Sequence, residues 1–102
     1  MDVFYEDRRL EKLCTDEREM RRRRADIAGR LRLRIKALET AESVGERPQH
    51  DPLGKWHSRD ANLGGLWSGK LSTNYRLLIR PEGSTEPLSA VSVTVIDIDD
   101  YH

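Results

Sequence analysis

A chain of 102 residues has room for one domain around one modest core, so residues 1–102 read as a single unit. Charged residues make up 35% and apolar residues 36%, which is polar for a globular protein but leaves enough Leu, Ile and Val to fold. Lys plus Arg (18) equals Asp plus Glu (18), and no apolar run approaches the ~20 residues of a membrane span, so neither a polycation nor a membrane protein is indicated.

In chain order, Val3-Phe4-Tyr5 is short, β-prone and bounded by charges, which predicts a first strand. Asp7 to Leu13 fits one or two helical turns with Leu10 and Leu13 on one side. Asp16 followed by Glu19 has the form of a capping box, and it precedes a helical pattern running to about Thr40. Met20, Ile27, Leu31, Ile35 and Leu38 recur there at helical spacing, and arginines fill the remaining arc. Gly45 to Pro52 is a loop. Beyond Leu53 the pattern turns to strand: Leu66 to Leu71, Tyr75 to Arg80 across a Ser72-Thr73-Asn74 turn, and Ala90 to Ile98 after a looser turn from Pro81 to Pro87. The expected fold class is α+β: a strand, a two-helix hairpin, then a small antiparallel sheet of three or four strands with one face covered and the other open.

Charge is unevenly spread. Arg18 to Lys36 holds nine basic residues against two acidic ones, and the rest of the chain holds nine basic against sixteen acidic. Such a polarised molecule can present one face to a polyanion, although a solvated helix face would have the same composition. The single cysteine, Cys14, has no disulfide partner and no neighbour at metal-ligand spacing, so it reads as a buried thiol. With no signal-like apolar stretch between Met1 and Asp7, the expected location is the cytoplasm.

Four short motifs occur in order in the second half: Trp56-His57, Gly65-Leu66-Trp67-Ser68, Asn74-Tyr75-Arg76-Leu77 and the closing Asp100-Tyr101-His102. Together they resemble the HigB (plasmid maintenance system killer) branch of the RelE/ParE toxin superfamily. The resemblance covers Leu53 to His102 well and the N-terminal half only in its order of elements. It implies a RelE-like fold and a ribosome-dependent messenger endoribonuclease that inhibits translation. It also implies neutralisation by a HigA-like helix-turn-helix antitoxin. The chain departs from the family where a lysine and an arginine are usual: Asp60 and Leu63 stand there, with Lys55 and Arg59 near enough to substitute.

RNA can be cut without metal when its 2′-hydroxyl attacks the adjacent phosphorus. A base for that hydroxyl, a cation for the phosphate and an acid for the departing 5′ oxygen are then enough. The resemblance assigns the phosphate to Arg76, whose fork can hold two oxygens, although an ordinary hairpin arginine reads the same. His102 lies next to its own carboxylate and near Asp99 and Asp100, which should raise its pKa above ~6.5 and suit it as general acid; a disordered terminus is the competing reading. Asp100 can orient a histidine or take the 2′ proton, and Tyr101 can bind phosphate or stack on a base. His57 is a second acid–base candidate or a structural residue. Trp67 and Tyr75 read as packing. Arg21, Arg22, Arg23, Arg24, Arg30, Arg34, Lys55 and Arg59 are the candidate RNA and ribosome contacts, with no sequence reading of their own. No metal or cofactor is implied, since ligand-spaced clusters are lacking apart from the terminal acids. A non-catalytic module that occupies a protein target, or a co-repressor with its antitoxin, stays open because of Asp60 and Leu63; a plain RNA-binding protein is a third reading.

Overall fold

The carboxylate of Asp7 accepts the amide of Leu10 at 2.8 Å, which ends the first strand, β1 (Asp2–Tyr5), and caps the first helix, α1 (Arg8–Thr15). In the computed structural model, which describes residues 1–46, 51–58, 65–83 and 86–100, there follow α2 (Glu17–Arg23), α3 (Ala28–Thr40), β2 (His57–Ser58), β3 (Trp67–Lys70), β4 (Tyr75–Glu82) and β5 (Ser92–Asp100). The expected long helix to Thr40 is therefore two helices. No Pro or Gly lies at the break, between Arg24 and Ile27. Instead the Ile27 amide donates to the Arg24 carbonyl three residues back at 3.1 Å, a tight turn in place of a helical bond to Arg23. Arg24 leaves the helical line to stack on the Tyr75 ring, 4.3 Å from its centroid. Only half of the capping box forms: Asp16 accepts from Arg18 and Glu19 amides, while Glu19 turns to Arg22 and Arg23.

The sheet has five strands in the order β1-β5-β4-β3-β2. The terminal hairpins are antiparallel as expected, but β1 runs parallel to β5, with Val3 opposite Val93 and Tyr5 opposite Val95. A parallel neighbour needs a crossover, and the three helices are part of it. The amino group of Met1 donates to the carbonyls of Leu38, Glu39 and Ala41, tying β1 to the end of α3.

Met20, Ile27, Leu31, Ile35 and Leu38, the stripe predicted for the helices, are all buried. They meet Leu77, Ile79, Val93 and Val95 from the sheet, each burial contributing about 1.5–3 kcal/mol before the entropy of ordering. Strand alternation places Leu78, Ser68 and Thr94 on the opposite face. All three are buried, so that face is less open than the sequence suggests. A bulge on β5 at Ile96 lets Leu78 pair with Asp97 and Ile79 with Val95, which re-aims the last residues of the chain. No helix among the described residues is long and apolar enough to cross a membrane.

Candidate functional site

Register decides which charged groups meet on the face away from the helices. Lys70 of β3 lies opposite Arg76 of β4, and Arg76 lies opposite Asp99 of β5. The next row along the same face is His57, Ser68, Leu78 and Asp97. Two cations directly opposite each other destabilise a sheet, and Asp99, across from Arg76 on its other side, offsets that cost. Strand spacings put the His57 and Arg76 backbones roughly 12 Å apart on this face. Arg76 is half-buried, and its Nη1 donates to the carbonyls of Ser72 and Tyr75 at 2.6 and 3.0 Å, which orients the guanidinium at the β3–β4 turn.

His57 is aimed from both sides. Its Nδ1 lies 3.0 Å from the carbonyl of Lys55, and since a carbonyl only accepts, Nδ1 carries the proton. Nε2 lies 3.3 Å from the hydroxyl of the buried Ser68, which can donate to a neutral ring or accept from a protonated one. The contact thus tolerates either protonation state, as a proton-transferring histidine requires.

The loop before His57 is clamped from within. Arg34 of α3 is 4% exposed; its Nη1 donates to Asp51 at 3.0 Å and its Nε to the Lys70 carbonyl at 2.8 Å. The other Asp51 oxygen accepts from the Trp56 indole at 2.8 Å. That ring is pressed between two glycines: a Cβ at Gly54 would come within 2.6 Å of its nitrogen, and one at Gly69 within 2.7 Å of its carbons. Lys55, between these anchors, is held in the left-handed region at φ 45°, a conformation that costs a non-glycine residue about 1–3 kcal/mol. Arg34, expected among the RNA contacts, is hence a buried structural cation and not a surface one.

A groove of about 490 Å³ runs between α3 and the β3–β4 turn, with Arg30, Leu33, Leu53, Lys55 and Lys70 on its walls. A second, of about 540 Å³, lies between α1, α2 and the bulge of β5, and there Arg22, Arg23 and Arg24 are interleaved with Asp7, Glu19 and Asp97. The arginine cluster of α2 is answered by carboxylates throughout. Arg21 pairs with Glu17 at 3.6 Å, Arg22 and Arg23 with Glu19 at 2.7 Å, and Arg24 with Asp26 at 3.4 Å. Desolvation opposes ionisation of Glu19, but the Arg23 hydrogen bond and the charges of Arg22, Arg23 and Lys12 together hold it below the usual carboxylate range. Burial pushes the Cys14 thiol up to about 12, consistent with an inert core residue. The Tyr5 hydroxyl is likewise pushed upward, by burial first and then by the charges of Cys14, Glu39 and Glu11.

Of the residues singled out in the sequence, His57 and Arg76 share a face, Arg30 and Lys55 share a groove, and Arg21 to Arg24 lie apart on α2 and its end. Asp100 pairs with Tyr75 in the register, on the face opposite Arg76, so Asp99 and not Asp100 is its cross-strand neighbour. Tyr101, His102, Arg59, Asp60 and Leu63 lie outside the described residues. Lys70 and Asp99 were missed as site residues. Lys70 could have been found, because the three-residue turn from Ser72 to Asn74 sets Leu71 against Tyr75 and hence Lys70 opposite Arg76. Among the described residues no three His, Cys, Asp or Glu side chains come together as a metal-binding group.

The same architecture occurs in solved structures. The chain aligns over 100% of its length with 100% of the YoeB/ParE toxin from Agrobacterium tumefaciens, at a TM-score of 0.59 and 16% identity. It aligns over 100% of its length with 97% of a chain in the YoeB-YefM complex from Staphylococcus aureus, at a TM-score of 0.61 and 13% identity. At these identities the likeness establishes a shared fold, not a shared activity. No protein-family model matches the sequence, and no curated protein matches it.

Proposed function

We propose that this protein is a cytoplasmic toxin of a toxin–antitoxin pair that cleaves messenger RNA on the ribosome without a metal ion. The observation that carries the reading is the row of Lys70, Arg76 and Asp99 on the sheet face it shares with His57, whose ring is held ready for proton transfer. The fold shared with YoeB/ParE toxins and the motifs that resemble HigB support it.

In this reading Arg76 and Lys70 hold the non-bridging oxygens and stabilise the charge that builds on the crowded phosphorus. The 2′-hydroxyl gives its proton to Nε2 of His57 and attacks phosphorus. The bond to the 5′ oxygen breaks, and that oxygen takes a proton from the imidazolium of His102. A 2′,3′-cyclic phosphate and a 5′-hydroxyl result, with the protons balanced between the two histidines. Asp99 and Asp100 favour the charged form of His102, and Tyr101 contacts the phosphate or a base. Arg21, Arg22 and Arg23 add salt-sensitive affinity for ribosomal RNA by exchanging their carboxylate partners for phosphates. Arg59, next in sequence to the described end of β2, is assigned to the same RNA. The partner that silences the protein is an antitoxin, of helix-turn-helix type on the HigB resemblance; the solved YoeB-YefM complex is of a toxin fold like this one.

The neutralised arginines of α2 favour a second reading, a non-catalytic toxin that occupies a protein target. Primer extension on translating ribosomes separates the two, comparing the intact chain, Arg76→Ala and a form lacking His102. Cuts within the ribosomal A site that vanish in both variants are the expected result. Growth arrest by the intact chain without any cut would overturn the nuclease and leave the second reading.

A further inference from the structure

Besides Arg34, which is paired with Asp51, three cations line the groove between α3 and the β3–β4 turn: Arg30, Lys55 and Lys70. Among the described residues none of them has a carboxylate partner, and no exposed carboxylate lines the groove; Asp51 lies beneath it, engaged by Arg34 and Trp56. The groove beside α2 has the opposite character, with Arg22, Arg23 and Arg24 already matched. Two large apolar side chains are also left in solvent here, Leu53 at 71% exposed and Leu33 at 50%. Unmatched positive charge beside exposed apolar surface suits a chain with anionic links and flat, uncharged faces, which describes single-stranded nucleic acid.

The groove also opens onto the candidate site. Ser72 lies on its lip, and the carbonyl of Ser72 is the group that holds Nη1 of Arg76. Lys70 belongs both to the groove wall and to the cross-strand row of Arg76. The Arg34–Asp51–Trp56 clamp fixes residues on either side of Lys55, so its backbone is positioned in advance and only its side chain has to be ordered on binding.

We propose that this groove is an RNA-binding subsite that takes the nucleotide adjoining the phosphate held at Arg76, with its phosphate on Arg30 and Lys55 and its base against Leu33 and Leu53. This deepens the nuclease reading and rests on it for the position of the reacting phosphate. Recognition by charge and apolar contact implies tolerance of any base at that nucleotide.

The test is fluorescence anisotropy of the purified chain with a single-stranded RNA octamer across a salt series. Arg30→Gln and Lys55→Gln change exposed side chains, so the unfolding midpoint should hold. Each should lower the slope of log affinity against log salt by about 0.7, the value for one lost phosphate contact on a single strand. Leu53→Ser should weaken binding severalfold without changing the slope. Unchanged affinity and slope in all three, while Arg76→Ala weakens the octamer, would overturn the subsite and spare the site at Arg76. Loss of octamer binding in the groove variants with none in Arg76→Ala would support the groove and remove the placement of phosphate at Arg76. If the groove variants keep the octamer but lose polyglutamate, the groove receives an acidic protein segment and the proposal fails.

Discussion

The surface of α2 and the β3–β4 end of the sheet both carry cations, and the sequence draws attention to the first. Four consecutive arginines, Arg21 to Arg24, are conspicuous, yet each is matched by a carboxylate from Glu17, Glu19 or Asp26. The sheet end has fewer charges. There Arg30, Lys55 and Lys70 lack such partners among the described residues, and Lys70 is set opposite Arg76 by register. Positive potential at a surface depends on what the fold brings against each cation, and linear density along the chain measures only half of that.

If the sheet end is a rigid site and α2 a solvated belt, substitutions in the two regions should differ sharply. The largest effect on stability is expected at the clamp. Asp51→Ala leaves Arg34 buried without its counter-charge and should cost about 3–5 kcal/mol in chemical denaturation, whereas changing Arg34 and Asp51 together to apolar residues of similar volume should recover much of it. Gly69→Ala drives a methyl into the Trp56 ring, and the overpacking should cost about 1–3 kcal/mol. It should also perturb the His57 ring resonances by NMR, because His57 follows Trp56 on the same clamped loop.

Behind the belt, in α1, Cys14 supplies a pH test. Its thiol ionises near 9.0 when unfolded and near 12 when folded. Between those values the unfolded chain has given up the proton and the folded one has kept it, so stability should fall as pH rises through that window and be complete below it. Tyr5 acts in the same direction. Cys14→Ala should flatten the profile, and iodoacetamide should label the native protein only after unfolding. The smallest effect belongs to the belt itself: Arg21→Ala, at a side chain 74% exposed, should change stability by less than about 0.5 kcal/mol.

The helical stripe from Met20 to Leu38 and the strands after Leu66 were legible because their burial follows the periods of helix and strand. The break before Ile27 was not, since it depends on a tight turn closed between Arg24 and Ile27 and on an arginine that finds a ring far away in sequence. Nor was the pairing of β1 with β5, a contact between the two ends of the chain. Within the site, His57 and Arg76 were visible as residue types at family-like spacing. The exchange of Asp100 for Asp99 follows from one register, set by the bulge at Ile96, and a one-residue slip moves a side chain to the other face. Arg34 looked like its neighbours in sequence, and only burial distinguishes it.

Single-turnover cleavage of messenger on ribosomes at saturating protein tests most directly whether the sheet end is the place of chemistry. Arg76→Ala should be slower by about 10²–10³-fold even at saturation, as expected when a group that stabilises transition-state charge is removed. A variant with Arg21, Arg22 and Arg23 all changed to Ala should reach the intact rate once saturated, having lost only affinity. An Arg76→Ala protein that cuts at the intact rate, or an α2 variant that stays slow at saturation, would contradict the account.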